Sequence, residues 1–261
     1  MGYRGVAATV VLCFLGATLS SGEAESPNPA AATATASAGT ATIIGFLGGF
    51  VKPSDRVHST VQLAQRLRNA YPTKAYVRVF ENHHGDQAYR EILRHLDVDN
   101  DGSLSAAEKQ QARIIIYGHS WGASETVTLA RKLEKNGIPV LLTIQVDSVA
   151  KGGENDALIP ANVAEAVNFY QPHGLVHGRP QIRAEDPEHT EIVGNFRFDY
   201  REKPISCEGY PWFNHILMNA HTEIECDPKV WDQVQALIES KLTPEVRQAS
   251  VTDGPVRGHR P

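Results

Sequence analysis

The sequence predicts an α/β domain with a reduced, mainly parallel sheet and helices on both faces. Three observations carry this. Short β-prone apolar runs alternate with segments of helical periodicity between residues 42 and 242, the pattern of strands joined by crossover helices. The run Ile114-Ile115-Ile116-Tyr117 passes directly into Gly118-His119-Ser120-Trp121-Gly122, and a helix-like stretch follows. A third run, Leu141 to Val146, ends on Asp147. That places a carboxylate at the C-terminal edge of a sheet, where open α/β sheets hold their sites.

Both ends of the 261-residue chain lie outside this pattern. Residues 1–24 carry one early cation, Arg4, then an apolar run from Val6 to Leu19, then small and polar residues. This predicts a signal peptide and a secreted or periplasmic protein. The run is too short for a transmembrane helix, so no stable membrane span is expected. Residues 25–41 are rich in Ala, Thr, Ser and Pro and read as a linker. Residues 243–261 mix Pro, Gly, Arg and Gln without periodicity and read as a disordered tail. The remainder, 42–242, is long enough for one domain with a sizeable core. A net charge of -5 argues against nucleic acid as a partner.

Within the domain, Thr42–Leu47 is the first strand, punctuated by Gly48-Gly49. Asp55–Tyr71 is a helix with Val57, Val61, Ala64, Leu67 and Tyr71 on one face, stopped by Pro72. Ala75–Phe80 alternates as a strand, and Asp86–Leu96 reads as a helix. Arg113–Tyr117 is the next strand. Ala123–Lys135 is a helix with Val127, Ala130 and Leu133 inward, closed by Asn136-Gly137. Val140–Val146 is a strand, Val163–Tyr170 a strand or a helix, and Glu191–Phe198 a strand. Pro228–Leu242 closes the domain as a helix, capped by Asp227, with Val230, Trp231, Val234, Leu237 and Ile238 as its buried stripe.

Gly118 to Gly122 is a G-x-S-x-G sequence between a strand and a helix, the context of a nucleophile elbow. Glycine on both sides of the serine permits close strand–helix packing. Ser120 then sits at a helix N-terminus, where N–H groups can stabilise an oxyanion. The first strand with Gly-Gly, this elbow, the strand ending in Asp147, a late histidine and a final amphipathic helix together make residues 42–242 resemble the α/β-hydrolase family. The size resembles its small lipase, esterase and thioesterase members. The resemblance implies a triad in the chain order Ser, acid, His. Ser120 is the nucleophile. His221, just before the last helix, lies where the family's histidine loop belongs; His215 is its rival. Asp147 is the acid, with Asp199 and Asp186 as alternatives. The backbone N–H of Trp121 supplies one oxyanion donor, and Phe50 or Gly49 the second. His119 is read as structural. The implied substrate is a small-molecule or lipid ester; no organic cofactor is expected. Acyl transfer by the same triad, or a non-catalytic calcium-binding role on this scaffold, are the alternatives.

Asp97 to Glu108 is a separate signal. It fits the twelve-residue calcium loop D-x-[DN]-x-[DN]-G-x₅-E. Asp97, Asp99 and Asp101 offer side-chain oxygens, Ser103 its carbonyl, Ser105 a water-mediated contact and Glu108 a bidentate carboxylate. Gly102 permits the turn, and Leu104 is placed to pack inward. Lys109 follows where an apolar residue is usual. A single loop predicts a structural calcium ion. The pair His83-His84 is read as non-metal, because neighbouring loop histidines are expected to point apart. His173 and His177 are placed on a surface loop near the cleft. Cys207 and Cys226 form the pair left after the leader, and an exported chain favours their disulfide.

Overall fold

A computed structural model describes residues 39–210 and 219–242. The expected leader, most of the expected linker, His215 and the expected tail lie outside the described residues.

Six strands form the main sheet. They are β1 (Ala41–Leu47), β2 (Ala75–Glu81), β3 (Ile114–His119), β4 (Val140–Val146), β6 (Val163–Tyr170) and β8 (Glu191–Arg197). Their order is β2-β1-β3-β4-β6-β8, and every pairing is parallel. Two short strands, β5 (Leu158–Ile159) and β7 (Arg183–Ala184), pair separately. The helices are α1 (Ser59–Ala70), α2 (Gly85–Leu96), α3 (Ala106–Gln110), α4 (Trp121–Glu134), α5 (Asn219–Cys226) and α6 (Pro228–Leu242). This fits the reduced, mainly parallel α/β-hydrolase fold expected from the sequence.

The central strands read as continuous apolar runs because both faces are covered. Successive residues enter different cores. Ile43, Ile115 and Tyr117 pack under α1 and α6 with Leu63, Leu67, Trp231, Val234 and Ile238. Ile44, Ile114 and Ile116 pack under α2 and α4 with Ile92, Val127 and Leu133. Trp231 meets Tyr117 edge-on, with ring centroids 6.5 Å apart. Truncation of such a buried aromatic typically costs about 3–5 kcal/mol.

Several expected boundaries shift, each for a local reason. β1 begins at Ala41, inside the stretch assigned to the linker, because Ala41 N donates to Lys74 O at 2.9 Å and joins the ladder. The first helix starts at Ser59, not Asp55. The Asp55 carboxylate accepts from Val57 N at 3.2 Å and holds a turn instead. Its buried stripe is therefore Ser59, Thr60, Leu63, Ala64 and Leu67, whereas Val57, Val61 and Tyr71 are half-buried. Val163–Tyr170 is a strand, paired on both sides by β4 and β8. His221 lies in a helix, α5, and not in a loop. The last helix matches its expected bounds: Asp227 accepts from Lys229 N at 2.9 Å as its cap, and Val230, Trp231, Val234 and Ile238 are buried.

Candidate functional site

Ser120 stands between β3 and α4 with φ 58° and ψ -126°. This backbone region is costly for a residue with a Cβ, by about 1–3 kcal/mol, and persists only where the surroundings impose it. Here they do. Ser120 N donates to Val146 O of the neighbouring strand at 3.0 Å, and Ser120 O accepts from Ala123 N and Val149 N. The flanking glycines are required by contact. A Cβ on Gly118 would lie 2.4 Å from Gly122 O, and one on Gly122 would lie 2.3 Å from Phe46 O.

The β3–β4 register pairs His119 with Val146, so Ser120 and Asp147 leave the sheet side by side. Asp147 is wholly buried and carries a positive φ of 46°. Its Oδ1 accepts from Gly178 N at 2.7 Å and Gln171 N at 3.1 Å. Its Oδ2 accepts from Gln171 Nε2 at 2.9 Å and lies 2.6 Å from His221 Nδ1. With Nδ1 engaged, Nε2 of His221 is the nitrogen left to move a proton. The loop that contains His173 and His177 supplies Gly178 and so wraps Asp147.

Asp199 does not reach this centre. It binds His173 at 3.0 Å and is held by Arg197 and Arg201; the Arg201 and His173 hydrogen bonds hold its carboxyl far below the usual range. Asp186 is likewise engaged elsewhere, with His189 at 2.7 Å. Trp121 opens α4 directly after Ser120. The Gly48–Phe50 loop approaches from the other side: a Cβ on Gly48 would lie 2.9 Å from Ser120 Cβ, and the Phe50 and Trp121 rings meet edge-on at 5.7 Å. Gly48 thus packs against Ser120, and the Phe50 and Trp121 side chains meet beside it.

A second buried chain adjoins the first, and the sequence reading missed it. Glu225 follows His221 by one helical turn on α5, so both share a face. Its Oε1 lies 2.5 Å from His58 Nδ1, at the start of α1, and its Oε2 lies 3.5 Å from His119 Nδ1. The His119 ring in turn lies 4.5 Å from the His221 ring. All three side chains are buried. Burial opposes charge on His58, but the Glu225 hydrogen bond and charge, with Asp55, outweigh it and raise its pKa above 6.5. Burial pushes His119 down to about 4, so it is neutral near pH 7. Burial also opposes ionisation of Glu225; the hydrogen bond and charge of His58 outweigh it and hold the carboxyl below 4.5. The signal was present as His221 and Glu225 at i, i+4, and it is visible only if that segment is read as helix.

Cys207 and Cys226 are bonded, with Cα atoms 5.7 Å apart across a sequence separation of 19. The bridge fixes the C-terminal end of α5, next to Glu225.

The acidic loop is ordered as a turn between α2 and α3. Ligand oxygens of Asp97, Asp99 and Glu108 lie within 4.8 Å of one another. Asn100 and Gly102 take φ of 58° and 85° to curl the chain around them. Asp101 is not part of that cluster; its Oδ1 accepts from Ser103 N and Oγ at 2.8 and 2.9 Å. Ser105 and Glu108 form a capping box on α3. The Asp101 amide favours the Asp99 carboxylate, but desolvation and the charges of Asp101 and Glu108 outweigh it and raise the pKa. Leu104 packs against the core as expected. All the donors are hard oxygens, which fits calcium.

No protein-family model matches the chain, and no curated protein matches it in sequence. Several solved structures are similar at low identity. A putative YdeN-like hydrolase from Pectobacterium atrosepticum is 14% identical, covering 77% of this chain and 92% of its own, with a TM-score of 0.39. A cutinase-like protein from Cryptococcus sp. is 11% identical, covering 78% and 95%, at 0.42. Human thioesterase 2 is 12% identical, covering 78% and 96%, at 0.38. An uncharacterized protein from Pseudomonas aeruginosa is 11% identical over 61% of this chain at 0.43, and this chain spans 40% of that one. The functional reading rests on the site's own geometry.

Proposed function

We propose that the protein is an exported serine hydrolase that cleaves a carboxylic ester or thioester through an acyl-enzyme. The observation that carries this is the strained Ser120 elbow on the same sheet edge as the buried Asp147–His221 pair at 2.6 Å. A serine hydroxyl needs a base, and the base needs a partner that fixes its tautomer. Asp147 holds the Nδ1 proton of His221. Nε2 takes the Ser120 proton as Oγ attacks the carbonyl carbon. The resulting oxyanion faces the N–H of Trp121 and of Gly49 or Phe50. The proton passes from Nε2 to the departing oxygen or sulfur, and the acyl group stays on Oγ. Water then repeats the sequence and releases the acid.

Phe50 is 87% exposed and Leu175, on the loop that wraps Asp147, is 86% exposed. Both support an apolar acyl group. Among the described residues no helix is long and apolar enough to cross a membrane. The disulfide supports export, because such bonds persist in oxidising compartments.

A calcium ion on the 97–108 loop fits the same reading as a structural part. Asp97, Asp99 and Glu108 would hold it, with Asp101, Ser103 and Ser105 completing the set. Calcium there would neutralise crowded carboxylates just ahead of β3, the strand that delivers Ser120. The reaction needs no metal from it.

The test is labelling with a fluorophosphonate, together with an ester panel of graded acyl length. One covalent adduct on Ser120 is expected, and Ser120→Ala is expected to lose both label and turnover by several orders of magnitude while staying folded. Near-normal turnover in that variant refutes the proposal.

A further inference from the structure

The turn between β2 and α2 brings together three side chains that the sequence did not place together. His84 N donates to Glu81 O at 2.9 Å, closing a four-residue turn. His84 then stands at the start of α2, with Gln87 N and Ala88 N both donating to its carbonyl at 3.0 Å. In an extended loop, adjacent side chains would diverge. In this turn the two imidazoles face each other, with ring centroids 4.2 Å apart. The expectation that they point apart is therefore overturned. His83 Nε2 lies 3.6 Å from Glu81 Oε2. A ligand atom from each of Glu81, His83 and His84 falls within 4.8 Å of the other two.

We propose that Glu81, His83 and His84 form a binding site for a divalent transition-metal ion, zinc first, separate from the acidic calcium loop. The donor set decides the metal class. Two imidazoles and one carboxylate suit zinc, copper or nickel, whereas calcium takes oxygen ligands. Zinc bonds to nitrogen at about 2.0–2.1 Å, so ligand atoms around a tetrahedral ion lie about 3.3 Å apart. The Glu81–His83 separation is already close to that. His83 is more than half exposed and can rotate to close the remaining gap. Among the described residues, no hydrogen bond engages the ring of His84. Three protein ligands would leave the fourth position to water or an external ligand.

The site's place in the fold gives it a neighbour of interest. Asn82, between the ligands, donates through its side chain to Gly49 O, and its own carbonyl accepts from Lys151 Nζ at 2.8 Å. A metal ion that stiffens this turn would brace the Gly48–Phe50 loop beside Ser120. Binding itself does not depend on the hydrolase reading.

The experiment is calorimetric titration of the full chain with zinc chloride in millimolar calcium, which fills the acidic loop. One zinc site is expected, with loss of that site in His83→Ala and in His84→Ala. His189→Ala, at a distant histidine–aspartate pair, serves as the control and is expected to keep it. Cobalt(II) provides the second readout: visible absorption typical of nitrogen ligation is expected in the parent chain and lost in both variants. His83 is exposed, so its replacement leaves the packing intact, and circular dichroism checks both variants. Zinc binding of unchanged affinity in His83→Ala and His84→Ala overturns the proposal. So does an absence of saturable zinc binding by the parent chain.

Discussion

Replacing Glu225 by glutamine isolates what the second buried chain contributes. The substitution keeps the side-chain shape and one acceptor but removes the charge from a site walled by His58 and His119. Both the carboxylate and its His58 partner are less than a tenth exposed, so solvent screens little of the loss. Breaking a buried pair from one side typically costs about 3–5 kcal/mol. Glutamine retains a hydrogen bond, so the lower end, about 3 kcal/mol, is the expectation. In a domain of this size each kcal/mol moves Tm by about 2–4 °C, giving a drop of about 6–12 °C.

The pH dependence follows from the two shifts. His58 has its folded pKa raised, so its contribution is complete below 6.5 and fades as pH rises through the folded value. Glu225 has its folded pKa lowered, so its contribution is complete above 4.5 and fades as pH falls through the folded value. The stability gap between parent and variant should thus be widest between 4.5 and 6.5 and narrow on either side. Thermal melts across that range measure it. Turnover should fall too, because α5 carries His221 one turn from Glu225, and a displacement of about 1 Å can cost about 10²-fold. A Tm drop below about 2 °C at every pH, with unchanged kcat/KM, refutes a restraining role for the His58–Glu225 pair.

The other predictions concern the triad and its supports. Asp147→Asn should reduce kcat by about 10⁴-fold through loss of tautomer control, measured on folded protein; a stronger effect of Asp199→Asn would reassign the acid. Replacing Cys207 and Cys226 by serine should cost about 3 kcal/mol of stability in denaturant melts, because the closed loop is short. If instead the reduced and oxidised chains melt together, the bridge braces nothing. A chelator should lower Tm while ester hydrolysis survives at low temperature, and Asp97→Ala should reproduce it. Calcium at a hundredfold excess over Kd is worth about 2.7 kcal/mol; a melt indifferent to calcium would remove the ion from the loop.

What the sequence disclosed, and what it withheld, has a physical pattern. β3, the elbow and β4 were legible because each signal is local: an apolar run, two glycines forced by backbone contact, and an aspartate at a strand end. α6 was legible for the same reason, since its cap, its first-turn proline and its stripe are contiguous. α1 was misplaced by four residues because Asp55 suits a turn as well as it suits a helix cap. Apart from His221, the partners of Asp147 were not legible. Gln171 and Gly178 reach it from 24 and 31 residues away, and no periodicity marks such a contact. His58 lies 167 residues from Glu225, so only the folded sheet brings them together.

The candidate site therefore divides into a part fixed by the sheet and a part that must be held. Ser120 and Asp147 leave adjacent central strands whose side chains are buried on both faces, and their positions are set by the β3–β4 register. His221 has no such anchor, because it rides on an eight-residue helix beyond β8. Contacts along its length restrain that helix, among them Asp147 at Nδ1, the Ile205 N–Glu223 hydrogen bond at 3.1 Å, the buried Ile224, the His58–Glu225 pair one turn on, and the disulfide at Cys226. A short isolated helix is marginal in water, so its orientation has to come from these contacts. Loss of the Glu225 pair should consequently affect the proton-transfer geometry before it affects the sheet. The variant should then show depressed turnover at temperatures well below its melting transition.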